Sequence, residues 1–313
     1  MKLKKISAAG ALVLAFALLT TLFAAATAEA GVVGGAPVAE NLELATYRGV
    51  SVGGMLSAKD PEGGKLTFQI TTKPGKGTID LSEDGHFVYT PADGKRGKDY
   101  FGYKAIDQDG NYSQEATVII KIQKQGSKIT YSDTAGTGSA YAAVRLAEED
   151  VFTGENLAGA YVFSPDASVS RQEFLAMCMK LSGKAVAAES VRTTGFADDA
   201  AIAVWAKPYV NSALRYGIVS GYSEDGTGVV FDPNREISVV EAAVMLDRAL
   251  GLTDAVTTWF GYEGSVPAWA LQSASNVSAC GLLPYGCSYA DETLSRGEAA
   301  EMLCAAMDVM AKR

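Results

Sequence analysis

Ser170-Arg171-Gln172-Glu173, Ser238-Val239-Val240-Glu241 and Ser295-Arg296-Gly297-Glu298 stand 68 and 57 residues apart, and each opens a Met-bearing apolar run. In a Ser-x-x-Glu start the hydroxyl accepts from the N3 amide while the glutamate reaches back to the N-cap amide, so each tetrapeptide predicts a capped helix N-terminus. Downstream, Phe174, Met177, Cys178 and Leu181 align with Ala242, Met245, Leu246 and Ala249, and with Ala299, Met302, Leu303 and Ala306. The i, i+3, i+4, i+7 spacing makes one apolar stripe per helix. A single helix pair cannot bury such a face, so three copies imply mutual packing. Methionines at equivalent places point to three helices meeting around a shared pseudo-threefold axis; a linear helical stack is the other arrangement.

Each capped helix ends a larger unit. The second is fullest: Phe196-Ala197-Asp198, a helix from about Trp205 to Tyr216 with Pro208 in its first turn, Gly217-Ile218-Val219-Ser220-Gly221-Tyr222, then Phe231-Asp232-Pro233 before Ser238. Proline in the first turn and glycine past the end punctuate a helix as expected. The third carries Phe260, Pro267-Ala268-Trp269, Gly281-Leu282-Leu283-Pro284-Tyr285-Gly286 and Tyr289-Ala290-Asp291. The first is looser, with Tyr131-Ser132-Asp133, a helix from Tyr141 to Glu149, Val151-Phe152-Thr153-Gly154 and Phe163-Ser164-Pro165. The units run over about 130–183, 194–252 and 258–313 of a region spanning 125–313.

Residues 31–124 read differently. Leu66-Thr67-Phe68-Gln69-Ile70, His86-Phe87-Val88-Tyr89-Thr90 and Ala116-Thr117-Val118-Ile119-Ile120 are rich in strand formers, with Pro, Gly and Asp clusters between them. Such spacing predicts an antiparallel sandwich, and polar Lys124-Gln125-Gly126-Ser127-Lys128 links it to the repeats. Its carboxylates Asp60, Glu62, Asp99, Asp107 and Asp109 could supply a calcium ion with oxygen ligands from loops. Asp in turns also caps backbone groups, which accounts for Asp107-Gln108-Asp109-Gly110 without an ion. His86, the single histidine, reads as an exposed strand residue, and no nucleophile partner supports Ser-His-Asp chemistry.

Lys2, Lys4 and Lys5, an apolar stretch from Ala8 to Ala26 and Ala28-Glu29-Ala30 form a signal-peptide pattern over residues 1–30, with an uncleaved anchor as the other reading. No later stretch is apolar for long enough to span a membrane. Removing residues 1–30 takes away three lysines and one glutamate and moves the net charge from −9 to −11. So acidic a chain argues against nucleic acid or an anionic membrane as partner. The length allows two domains. All four cysteines lie in the repeats: Cys280 and Cys287 could bridge a Pro-Gly turn, while Cys178 and Cys304 sit in apolar runs as buried thiols.

Ala36-Pro37-Val38, Leu56-x-Ala58-x-Asp60-Pro61-Glu62-Gly63, Gly75-x-Gly77-Thr78-Ile79, Asp84-Gly85-x-Phe87-x-Tyr89-Thr90-Pro91, Gly97-x-Asp99-x-Phe101-x-Tyr103 and Asp107-x-Asp109-Gly110 together resemble the bacterial cadherin-like or immunoglobulin-like repeat of secreted surface proteins. Such modules act as spacers, adhesive units or ligand binders, so the fold does not choose among them. The region 130–313 resembles three tandem S-layer homology (SLH) domains, by its aromatic-x-Asp, Trp-Ala helix, Gly-Ile-Val-Ser-Gly, Phe-x-Pro and Ser-Arg-x-Glu motifs in fixed order. The fold class implied is multidomain: an all-β sandwich followed by an all-α pseudo-threefold trimer.

That resemblance implies an exported protein held non-covalently on a Gram-positive-type cell wall, in or beside the surface layer. Its partner would be secondary cell-wall polysaccharide, often bearing pyruvate ketals, and neighbouring surface-layer proteins could be further partners. Arginine's planar fork suits a ketal carboxylate. Carried over residue by residue, the binding set is Arg171 and Arg296, with Val239 in the second copy's slot, the acids Asp133 and Asp198, with Tyr262 at the third, and Trp205 and Trp269, with Gly138 in the first. A tryptophan at a helix start is more often core than sugar platform. The reading is of an anchor with no catalysis and no cofactor, displaying one β module. The alternative is an adhesin whose β domain binds an external glycan, protein or calcium while the repeats tether it. A wall hydrolase would need a paired-carboxylate cleft, and none is visible.

Overall fold

The computed structural model describes residues 35–187, 191–223, 226, 228–257, 266–290 and 293–312. The signal-like segment 1–30, Phe260, Tyr262 and Asp291 lie outside the described residues. Strands β1 (Val38–Ala39) and β4 (Ala58–Lys59) pair at the start. β2 (Leu42–Tyr47), β9 (Ala116–Gln123), β8 (Gly97–Ile106) and β5 (Thr67–Thr72) form a four-stranded sheet in that order; β3 (Val52–Met55), β7 (His86–Pro91) and β6 (Gly77–Leu81) form a second. Alternation decides which residues face inward, since successive side chains leave a strand on opposite faces. Phe87 and Tyr89 from β7 meet Phe101 from β8 and Val118 and Ile120 from β9 in one buried cluster. Each such burial contributes about 1.5–3 kcal/mol.

The sandwich is not wholly antiparallel. β2 runs parallel to β9, Leu42 opposite Val118 through Tyr47 opposite Gln123. The pairing is open to them because the rest of the domain separates the two strands in sequence, supplying the long crossover that a parallel pair needs.

The C-terminal region is helical: α1 (Ala140–Glu148), α2 (Arg171–Ser182), α3 (Lys207–Arg215), α4 (Val239–Leu250), α5 (Leu271–Ala279) and α6 (Arg296–Met310). It is not all-α. Hairpins β10 (Glu155–Leu157) with β11 (Ala160–Val162), and β12 (Tyr222–Ser223) with β13 (Val229–Val230), fill the first two loops. All three capping boxes form, with Ser170, Ser238 and Ser295 at the N-caps of α2, α4 and α6. The apolar stripes that follow are buried in one cluster, apart from half-buried Leu181. The three N-caps are stitched by a closed ring of backbone bonds: Val169 N donates to Leu294 O, Leu294 N to Ile237 O and Ile237 N to Val169 O. The Cys280 thiol is unbridged, so the spacing to Cys287 is not used for a disulfide, and Cys178 is fully buried, which pushes its thiol pKa up. Among the described residues no helix is long and apolar enough to cross a membrane.

Residues 35–313 make one compact unit, so the polar stretch 124–128 is not a free tether. Glu148, the last residue of α1, accepts from Tyr47 Oη and from the amides of Gly126 and Ser127. Gly53 N donates to Gly138 O, and Tyr141 N to Ser51 O.

Candidate functional site

The motif residues sort into those that build the frame and those that face solvent. Asp133 accepts from the amides of Phe163 and Ser164, and Asp198 from those of Phe231 and Asp232. Ser164 and Asp232 have left-handed backbone, at φ 56° and 57°, a conformation unfavourable for residues other than glycine. Holding both amides of the turn on one carboxylate fixes that conformation. The aromatic-x-Asp acids therefore shape the Phe-x-Pro loops and have their oxygens engaged there.

Arg171 is not left uncommitted by its capping box. It is 5% exposed, its Nε donates to Phe231 O, its NH1 lies 2.9 Å from Glu241 Oε1, and its guanidinium covers the Phe231 ring. Arg296 repeats the pattern one position round, donating to Phe163 O and lying over Phe152. Each motif arginine thus enters the loop of a different repeat. Arg235 shares Glu241 with Arg171 and also holds Asp232 at 2.7 Å. Burial pushes the Glu241 carboxyl up, but the Arg235 hydrogen bond and the Arg171 charge outweigh it and leave the pKa below its usual value.

Both tryptophans are on the surface, Trp205 51% and Trp269 60% exposed, so the core reading of that slot fails here: the turn before each helix aims the indole outward. Each lines a groove. One, of about 1200 Å³, runs between Phe152, α2 and Trp205, with Glu173, Lys180 and Arg192 as its charged lining. The other, of about 520 Å³, lies between the Ile218–Tyr222 turn, α4 and Trp269, and holds Arg171, Arg235, Arg248 and Glu241. Arg248 is exposed and has no ion-pair partner among the described residues. Sequence reasoning passed over Arg248 and Lys180, although both stand ten residues after an N-cap serine. Such a groove can hold an anionic chain between a flat apolar ring and a cation.

In the sandwich, the proposed calcium ligands are not brought together. Asp99 is buried and accepts from Tyr89 Oη and the amides of Gly75 and Lys76. Asp107 accepts from Asp109 N and Asn111 N, Asp60 from Gly64 N, and Glu62 from Gly35 N. Among the described residues no group of three or more His, Cys, Asp or Glu is placed to hold a metal ion. His86 is not a free strand residue: its ring stacks on Tyr285 at 4.3 Å.

Residues 35–124 match the bacterial cadherin-like domain, and residues 195–238 match the S-layer homology domain. The second match indicates cell-wall anchoring of a surface protein. No curated protein matches the chain. Solved structures that match include an endo-fucoidan hydrolase of glycoside hydrolase family 107, 21% identical over 31% of this chain and 14% of that one at TM-score 0.24. The sialic acid binding region of a Streptococcus sanguinis adhesin is 20% identical over 31% of each chain, at TM-score 0.24. The D00-D0 domain of intimin is 16% identical over 30% of this chain and 50% of that one, at TM-score 0.23. This chain spans a small part of the first of these, and at such scores none bears on function.

Proposed function

We propose that residues 130–313 are three SLH repeats around a pseudo-threefold axis, and that their surface grooves hold an acidic secondary cell-wall polysaccharide, of the pyruvylated kind. The chain is then an exported protein of a Gram-positive-type wall, without catalysis, that carries its cadherin-like sandwich on the cell surface. The ring of bonds among Val169, Ile237 and Leu294 supports the threefold arrangement over a linear stack, because a stack would leave its two ends unjoined. One observation carries the ligand assignment: exposed Trp269 and exposed Arg248 share a groove with Arg171 and Arg235, on a chain whose net charge is −9. Arg171 and Arg235 fix Glu241 and the loop, leaving Arg248 to meet the ketal carboxylate and the indole to stack on a sugar face.

The test is a pull-down with purified sacculi before and after stripping of the secondary polymer. Residues 35–313 should bind the intact wall and lose it on stripping, and Arg248→Ala with Trp269→Ala should release the protein at unchanged melting temperature. Undiminished binding to stripped wall would refute the ligand assignment.

A further inference from the structure

Three grooves should exist if there are three repeats, and the third is unlike the others. Ten residues after the N-cap serine stand Lys180, Arg248 and Ala305, and six after it stand Ala176, Val244 and Glu301. Two residues before the partner helix stand Trp205, Trp269 and Gly138. The arginine slot follows the same order. The isolated bridge from Ser170 to Glu236 brings the start of α2 to the second repeat's groove, and that from Ser238 to Thr293 brings the start of α4 to the third repeat's. The residue in that slot is Val239. The third groove has therefore lost its arginine, its helix cation and its tryptophan, and has gained a carboxylate.

The space is walled on its far side by the other domain. Around Leu282, Leu283, Tyr285 and Glu301 the far wall consists of residues of β2, β3, β7 and the end of β9, bordering a cleft of about 590 Å³. A Cβ on Gly53 would come within 3.0 Å of Gly138 Cα, so two bare backbones touch where the other grooves carry an indole. The His86 ring stacks on Tyr285, and the Tyr285 hydroxyl donates to Asp84, which pushes the tyrosine pKa up to about 12. In the α4 groove the tyrosine hydroxyl of Tyr222 stays within its own repeat, on Asp232, and among the described residues the linings of the two open grooves include no residue of the sandwich. The losses remove polymer chemistry and the gains fit the sandwich, and chance decay of a binding site would give only the first.

We infer that the third groove is remodelled as an intramolecular dock whose partner is this chain's own β sandwich, so that the protein grips the wall through two grooves and carries the sandwich at a fixed angle to it. The inference rests on the three-repeat reading above. Its consequence is geometric: whatever the sandwich meets, it is presented by a rigid arm.

The test uses residues 35–313 without any polymer. Gly138→Trp restores the indole of the other grooves, and Gly53→Trp makes the same clash from the sandwich side. In both, the radius of gyration from X-ray scattering should rise while far-UV circular dichroism stays unchanged. Proteolysis within 124–128 should speed up by about tenfold or more, since opening exposes a protected segment. Tyr285→Ala, which removes contacts without adding bulk, should shift both readouts in the same direction by less. If all three variants stay as compact and resistant as the parent, or if the parent is already extended, the dock is refuted. Wall binding is measured separately; its absence in the parent would sink the anchoring proposal and leave the docking result standing.

Discussion

The groove beside α4 and the cavity beside α6 are framed by equivalent elements and have opposite chemistry. The first presents Arg248 and Trp269 to solvent, with Arg171 and Arg235 engaged on Glu241 in its wall. The second presents Ala305, Glu301 and Gly138 to strands from both sheets of the sandwich. Frame and site are thus separable: the capping boxes, apolar stripes and bond ring hold the backbone in place, and the few side chains pointing outward are at liberty to change. Residues that look functional by motif can also brace the frame, as Arg171, Asp133 and Asp198 do.

The sharpest way to break this comparison is Arg171→Ala. If the arginine belongs to the frame, losing it strands Glu241 with one partner and leaves Phe231 O without its donor, at a cost on the order of 3 kcal/mol, because half of a buried pair has been removed. Urea unfolding reads this directly. A loss of wall binding at unchanged stability would return Arg171 to the ligand set. Arg248→Ala should do the reverse: binding to polymer-bearing sacculi falls by about tenfold or more, as for a charged hydrogen bond of about 1.5–3 kcal/mol, while stability stays within about 0.5 kcal/mol.

Glu301 sharpens the other side. Burial, with the nearby Glu298 charge, pushes its pKa up to about 7, above its ordinary value when exposed. The folded state therefore holds the proton more tightly, so its contribution is present at acid pH and is lost as pH rises through about 7. Glu301→Gln should be more stable than the parent at pH 8 by on the order of 2 kcal/mol and nearly equal to it at pH 4. Thermal melts of both proteins at the two pH values decide, and a constant difference across pH would sink the assignment. The smallest effect belongs to the caps. Ser170→Ala or Ser295→Ala should cost about 1 kcal/mol with sacculus binding unaltered at temperatures well below melting; weaker binding there would make the serine a ligand contact.

Much of the frame was legible beforehand. The capping boxes were readable because both partners lie within four residues, and the stripes because helical period is local. The strands at 67–72, 86–91 and 116–123 declared themselves by composition. The parallel pairing of β2 with β9 did not, since β propensity says nothing about partner or direction. Trp205 and Trp269 entered the binding set by resemblance while frequency favoured a core position, and only the fold shows both indoles exposed. Asp99 stood among the candidate calcium ligands and is a buried acceptor for Tyr89 Oη, because β6, β7 and β8 converge there.

What the sequence by itself determined was local: where helices start, which faces are apolar, which segment is β-rich, and that one tetrapeptide recurs. What the tertiary structure alone decided was which charges are engaged. Arg171 meets Glu241, and Gly53 meets Gly138, across separations of many tens of residues, and whether a guanidinium is buried on a carboxylate or exposed in a groove depends on those distant neighbours. Burial and desolvation are properties of the assembled packing, so the same motif arginine is a candidate ligand in the sequence and a structural brace in the fold.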